Sequence, residues 1–173
     1  MNLKNNFFLL VLITLLTSCK MGGYSFTGVS VDADSMTINS FFQEVDAGPP
    51  DLAAKFTDEM RDYFQQNTSL NLVDSNGDLL FEGAVTGYQL NPVAQTATGG
   101  LEGLNTTAQT RLTITVSVNF TNINKPEDDF ERSFSFFSDF DSEQAIQDVE
   151  EELIDEIYEQ IILNIFNASV ANW

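Results

Sequence analysis

Apolar and polar residues alternate along this chain with two different periods, and the changes of period mark out its elements. From Leu112 to Phe120 the apolar residues Leu112, Ile114, Val116, Val118 and Phe120 interleave with Thr113, Thr115, Ser117 and Asn119. A period of two predicts a strand, and a wholly polar second face predicts that only one side is covered. After a turn at Lys125-Pro126-Glu127-Asp128, Phe130, Arg132, Phe134 and Phe136 alternate with Glu131, Ser133 and Ser135. Strand, charged turn and strand predict a hairpin. Met36 and Ile38 alternate with Thr37 and Asn39 in a shorter strand, which Asp46-Ala47-Gly48-Pro49-Pro50 ends. Asn76-Gly77 reads as a hairpin turn, because both residues tolerate positive φ. Beyond it Leu79, Phe81, Gly83, Val85 and Gly87 form the more apolar set against Leu80, Glu82, Ala84, Thr86 and Tyr88. The two glycines leave room for something packed closely above them.

Elsewhere the period lengthens to that of a helix. Leu52, Phe56, Met60, Tyr63 and Phe64 lay an apolar stripe over about four turns. Ile146, Val149, Leu153, Ile157 and Ile161, flanked by Ile154, Tyr158, Ile162, Ile165 and Phe166, predict a helix of about seven turns. Asp141 and Gln144 stand at its start in the manner of a capping box. Between Pro92 and Gln109 no period survives, so that stretch reads as a loop between two strands. The expected order is β-α-β-β-β-α. It implies an α+β fold with two helices packed on one face of a four-stranded, mostly antiparallel sheet.

The amino-terminal pattern belongs to no folded element. Lys4 precedes ten residues, Phe7 to Leu16, that are apolar except for Thr14. A permanent membrane helix needs about 20, so the run reads as a cleaved export signal. It closes on Leu16-Thr17-Ser18-Cys19, the lipobox pattern of bacterial lipoproteins, in which the cysteine thiol carries diacylglycerol. Cys19 is the sole cysteine and the candidate lipid attachment residue. Residues 1–18 are thus a signal peptide, 19–30 a lipidated tether and 31–173 a single periplasmic domain. Lys20, where aspartate often signals retention at the inner membrane, points to the outer one. One acyl chain anchors weakly and two or more hold stably.

Composition removes whole classes of function. With Lys4 in the leader, six Lys and Arg remain against 26 Asp and Glu, a net charge near −20. That charge opposes binding to nucleic acid and electrostatic adhesion to an anionic membrane. The sequence has no histidine and no thiol besides Cys19. A His base, a Cys nucleophile and a His-rich or Cys-rich zinc site are therefore excluded. Asp74-Ser75-Asn76-Gly77-Asp78 imitates a calcium loop, but Gly77 is its fourth residue instead of its sixth and Glu82 comes too early. Asp139, Asp141 and Glu143 are the other candidate cation ligands, with nothing in the sequence to hold them in a cage. The acidic face of the last helix, Asp148, Glu150, Glu151, Glu152, Asp155, Glu156 and Glu159, reads as a solvated surface. No catalytic residues, metal or cofactor are expected, and the chain is not expected to be an enzyme.

The lipobox followed by Gly22-Gly23-Tyr24-Ser25-Phe26, the order of elements, and the blocks Leu80-Phe81-Glu82-Gly83 and Arg111-Leu112-Thr113-Ile114-Thr115-Val116 resemble the LPS-assembly lipoprotein family LptE. Asp139-Phe140-Asp141-Ser142 and Val170-Ala171-Asn172-Trp173 are similar to its short acidic branch. The resemblance implies an outer-membrane lipoprotein, anchored on the periplasmic side, that plugs an LptD-type β-barrel and supports its assembly and the delivery of lipopolysaccharide. The partners implied are that barrel and the membrane, with lipopolysaccharide a third candidate. Some members bind lipopolysaccharide through basic residues. Here those are few and scattered, and none is carried over as a lipid A site. The polar strand face of Thr113, Thr115, Ser117 and Asn119 is the candidate barrel-facing surface, since barrel interiors are polar. Two alternatives stay open: a lipoprotein that holds an apolar or glycolipid ligand between helices and sheet, and a hydrolase with paired carboxylates.

Overall fold

The computed structural model describes residues 32–93 and 108–171; the signal peptide, Cys19 and the tether lie outside them. Strands β1 (Ser35–Ile38), β2 (Phe42–Gln43), β3 (Asn71–Leu72), β4 (Leu79–Val93), β5 (Gln109–Asn122) and β6 (Phe130–Asp141) form one sheet. Helices α1 (Leu52–Asn67) and α2 (Ile146–Ser169) are the α-helices of the described residues. The strand order is β3-β1-β4-β5-β6, and β2 continues the β1 edge along β4.

The class is α+β, as the periods imply, but the sheet has six strands and is mixed. β4, β5 and β6 are an antiparallel meander. β1, β2 and β3 all run parallel to their neighbours. The reason lies in the crossover: α1 joins β1 to β3, and a helical connection returns the chain in the same direction. The short strands escape the sequence pattern because two residues cannot display a period.

Asn76-Gly77 does make a turn, with Asn76 at φ +57°, yet it closes no hairpin. β1 lies between β3 and β4, so the segment Val73–Asp78 arches across β1. Gly77 rests directly on that strand, where an added Cβ would stand 2.6 Å from the Met36 carbonyl carbon and the Thr37 nitrogen. Thr37 Oγ1 accepts the Gly77 amide and donates to the Val73 carbonyl. Asp78 pins the other end, its Oδ2 accepting from the Asp34 and Ser35 amides and from the Ser35 hydroxyl. Those bonds hold the Asp78 carboxyl below the usual carboxylate range.

The core lies between the helices and one face of the sheet. Phe56, Met60 and Phe64 of α1 meet Ile157, Tyr158, Ile161 and Ile165 of α2 above Phe81, Val116 and Phe120, all at 0% exposure. Edge-on rings at 5.0 Å link Phe41 to Phe56, Phe56 to Tyr158 and Phe64 to Phe81. Burying each such side chain stabilises the fold by about 2–3 kcal/mol. Phe41 occupies the room above Gly83. The capping box is not formed: α2 begins at Ile146 without a side-chain cap, while Asp141 ends β6 and accepts the Glu143 amide. Packing of the apolar stripe, not capping, holds this helix.

Candidate functional site

Among the described residues, no helix or strand layer covers the other face of the sheet over β4, β5 and β6. β5 supplies its centre, where Thr113, Thr115 and Ser117 are half-buried and Asn119 is exposed, all four on the side away from the helices. Strand register extends the surface into rows. Glu82, Asn119 and Glu131 form one row. Phe42, Ala84, Ser117 and Ser133 form the next. Gly87, Thr115 and Ser135 follow, then Gln89, Thr113 and Phe137, and last Asn91, Arg111 and Asp139.

A bulge shifts the phase of β4. The register slips between Val85 and Gly87, and one extra residue exchanges the faces beyond it. Gly87 therefore lies against Thr115 on the open side, while Tyr88 turns to the helices. Both are opposite to the unbroken alternation expected from the sequence. The Tyr88 hydroxyl donates to the Glu150 carboxylate of α2; burial, then that bond, pushes its pKa up.

Two aromatic rings stand on the open face that the strand period did not single out. Phe42 is 72% exposed and Phe137 43%. Each belongs to a Phe-Phe pair, Phe41-Phe42 and Phe136-Phe137, and successive side chains of an extended chain point to opposite faces. One ring of each pair was bound to face outward, which is the signal that could have found them. Arg111 lies over the Phe137 ring, 3.6 Å from its centroid, and grips Asp139 in a fork at 2.7 and 2.8 Å. The guanidinium holds the Asp139 carboxyl low. Asp139 is thus committed to an ion pair, and among the described residues no three His, Cys, Asp or Glu converge as metal ligands.

Between Phe42 and the meander lies a shallow hollow of about 710 Å³, floored by Ala84 and Ser117. A second, of about 690 Å³, opens between the helices on the outer side. There Lys55 pairs with Asp155 at 2.5 Å. Glu59 beside them is half-buried, and burial first, then Asp155, raises its carboxyl to about 7. The outward face of α2 is acidic as expected, with Asp148, Glu151, Glu152, Asp155, Glu156 and Glu159 exposed; Glu150 departs from the expectation, half-buried where it accepts from the Tyr88 hydroxyl.

The cations that the sequence scatters have local tasks. Arg61 donates twice to the Ile38 carbonyl, tying α1 to β1. Arg132 stands 5.4 Å from the Phe130 ring on the helix side of β6. Among the described residues they form no cluster on the open face.

The family model described as LptE, Lipopolysaccharide-assembly, matches residues 33–169 of this chain. No curated protein sequence matches. Solved structures share the fold at low identity. A hypothetical protein from Chlamydia trachomatis is similar with a TM-score of 0.54 at 8% identity, over 81% of this chain and 99% of that one. Uncharacterized lipoprotein B from Nitrosomonas europaea is similar with a TM-score of 0.50 at 10% identity, over 78% of this chain and 81% of that one.

Proposed function

This chain belongs to the LptE lipopolysaccharide-assembly family, and we propose that within lipopolysaccharide assembly it is a non-catalytic lipoprotein subunit seated in an LptD-type β-barrel of the outer membrane. The anchor in this reading is diacylglycerol on Cys19. The body that follows it, residues 31–173, is a single periplasmic domain whose open sheet face, centred on Thr113, Thr115, Ser117 and Asn119, meets the polar wall of the barrel.

The observation that carries the reading is the inequality of the two sheet faces. One is closed by two helices and dry. The other has no covering layer over β4, β5 and β6 among the described residues, and it presents hydroxyls, amides and the exposed rings of Phe137 and, on β2, Phe42. A wet barrel interior offers the hydrogen-bonding partners such a face needs. The filled layer between helices and sheet speaks against a ligand held there, since Phe56, Phe64, Phe81, Phe120 and Tyr158 interlock without exposure.

The test is extraction in mild detergent, with a photoreactive residue at Thr115 or Ser117 and a control at Glu152 or Glu159. Co-purification of an outer-membrane barrel and its capture from the strand positions are the expected results. A solitary monomer, or capture from the helix positions alone, would overturn the reading. Cys19→Ala is expected to leave the fold intact and release the protein from the membrane in cells depleted of the barrel.

A further inference from the structure

The hollow beside Phe42 has a chemistry distinct from the rest of the open face. Its floor is made of small side chains, Ala84 and Ser117. On one rim stands Phe42, a large apolar ring left mostly in water. Three carboxylates, Glu44, Glu82 and Glu131, line it, and no lysine or arginine does. Register sets Glu82 and Glu131 on either side of Asn119 in one row, so their backbones stand about 10 Å apart, two strand spacings. Glu82 is held in place by the Asn39 side-chain amide, at 2.7 Å. Among the described residues, the cation on the open face is Arg111 at the opposite end, already paired with Asp139.

We infer that this trough receives a basic segment of a protein partner, which on the reading above is the barrel: an arginine or lysine lies between Glu82 and Glu131, and an adjoining apolar side chain packs on Phe42. Charge complementarity selects this occupant. An acidic segment would face the carboxylates with like charge, and a neutral one would leave them without a counter-charge wherever the contact excludes water. A cation with an apolar neighbour satisfies both features of the trough at once. The exposed ring can also stack with a guanidinium, as the Phe137 ring already does with Arg111. An exposed aromatic at the rim of a small-residue floor has the character of an interface anchor. Like charge in the trough opposes direct contact with an anionic glycolipid at this end of the sheet.

The experiment places p-benzoylphenylalanine at position 42 of the full-length lipoprotein in its own cells and sequences the peptide captured on illumination. The expected product is a barrel peptide with Lys or Arg beside the link. A cross-link to a second copy of this chain, to a segment without a basic residue, or none while Thr115 captures the barrel, would overturn the inference and leave the barrel reading standing. Capture of a basic segment from a protein that is not a barrel would do the reverse. A second arm uses Glu82→Gln with Glu131→Gln, both at the surface, checked for an unchanged circular dichroism melt. Barrel recovered per lipoprotein is expected to fall about tenfold, with a weaker dependence on salt; wild-type recovery and salt dependence would overturn the inference.

Discussion

Strand β5 has two faces built from alternate residues of the same stretch, and they live in different solvents. Toward the helices, Leu112, Ile114, Val116, Val118 and Phe120 are fully buried. Away from them, Thr115 spends its hydroxyl on Ser135 at 3.0 Å, and Asn119 is exposed. The first face earns stability by leaving water. The second contributes little to the fold and is free to be shaped by what it meets. On the proposed function, stability and recognition are thus separated by one residue along the chain, so substitutions on the two faces are expected to have different consequences.

The largest expected effect lies on the packed face. Phe64→Ala removes a ring that contacts Phe81 and Phe166 at 5.0 and 5.3 Å, and should cost about 3–5 kcal/mol in urea unfolding. A smaller loss than from an open-face substitution would erase the distinction between the faces. Next comes the arch over β1, which covers the open side there and takes Thr37 down to 3% exposure. Gly77→Ala should cost about 1–3 kcal/mol, because its Cβ meets backbone that cannot swing aside. An unchanged melting curve would show that the arch does not rest on β1.

Glu59 tests the outer surface of the helices. Its native carboxyl titrates near 7 against an ordinary 4.5, so between those values the native state holds a proton that the unfolded chain has lost. Stability from this group is complete below pH 4.5 and is lost as pH rises through 7. Glu59→Gln should therefore stabilise the protein by about 1 kcal/mol at pH 8, after allowance for its solvent exposure, and have little effect at pH 4. Equal effects at both pH values would remove the titration as the cause. The smallest effect on stability is expected from Thr115→Ala with Ser117→Ala, within about 0.5 kcal/mol. The same pair should reduce recovery of the proposed barrel partner, and a variant that unfolds instead would show that the open face belongs to the core.

Much of this architecture was legible in the periods. β5, the hairpin into β6 and both helices stand where alternation or the helical stripe put them, because each carries enough residues to repeat its pattern. The Asn-Gly turn was legible as a turn but not as a crossing of β1, since turn chemistry records local φ and not which strand lies beneath. The face of Tyr88 was lost at the bulge, where a single added residue inverts the count. Thr113, Thr115, Ser117 and Asn119 were legible as one polar face. Phe42 was only half legible: the Phe41-Phe42 pair says that one ring faces outward but not which, and β2, with two residues, shows that through its pairing with Ala84.

The sequence by itself determined the class of elements, the amphipathic face of each long one, the acidic charge and the lack of histidine, for these are properties of local order and composition. Only the tertiary structure decided the strand order, the parallel edge, the arch, and the meeting of Glu82, Asn119 and Glu131 with Phe42. Those depend on contacts between residues far apart in the chain, and a local pattern carries no record of which distant strand will complete its hydrogen bonds.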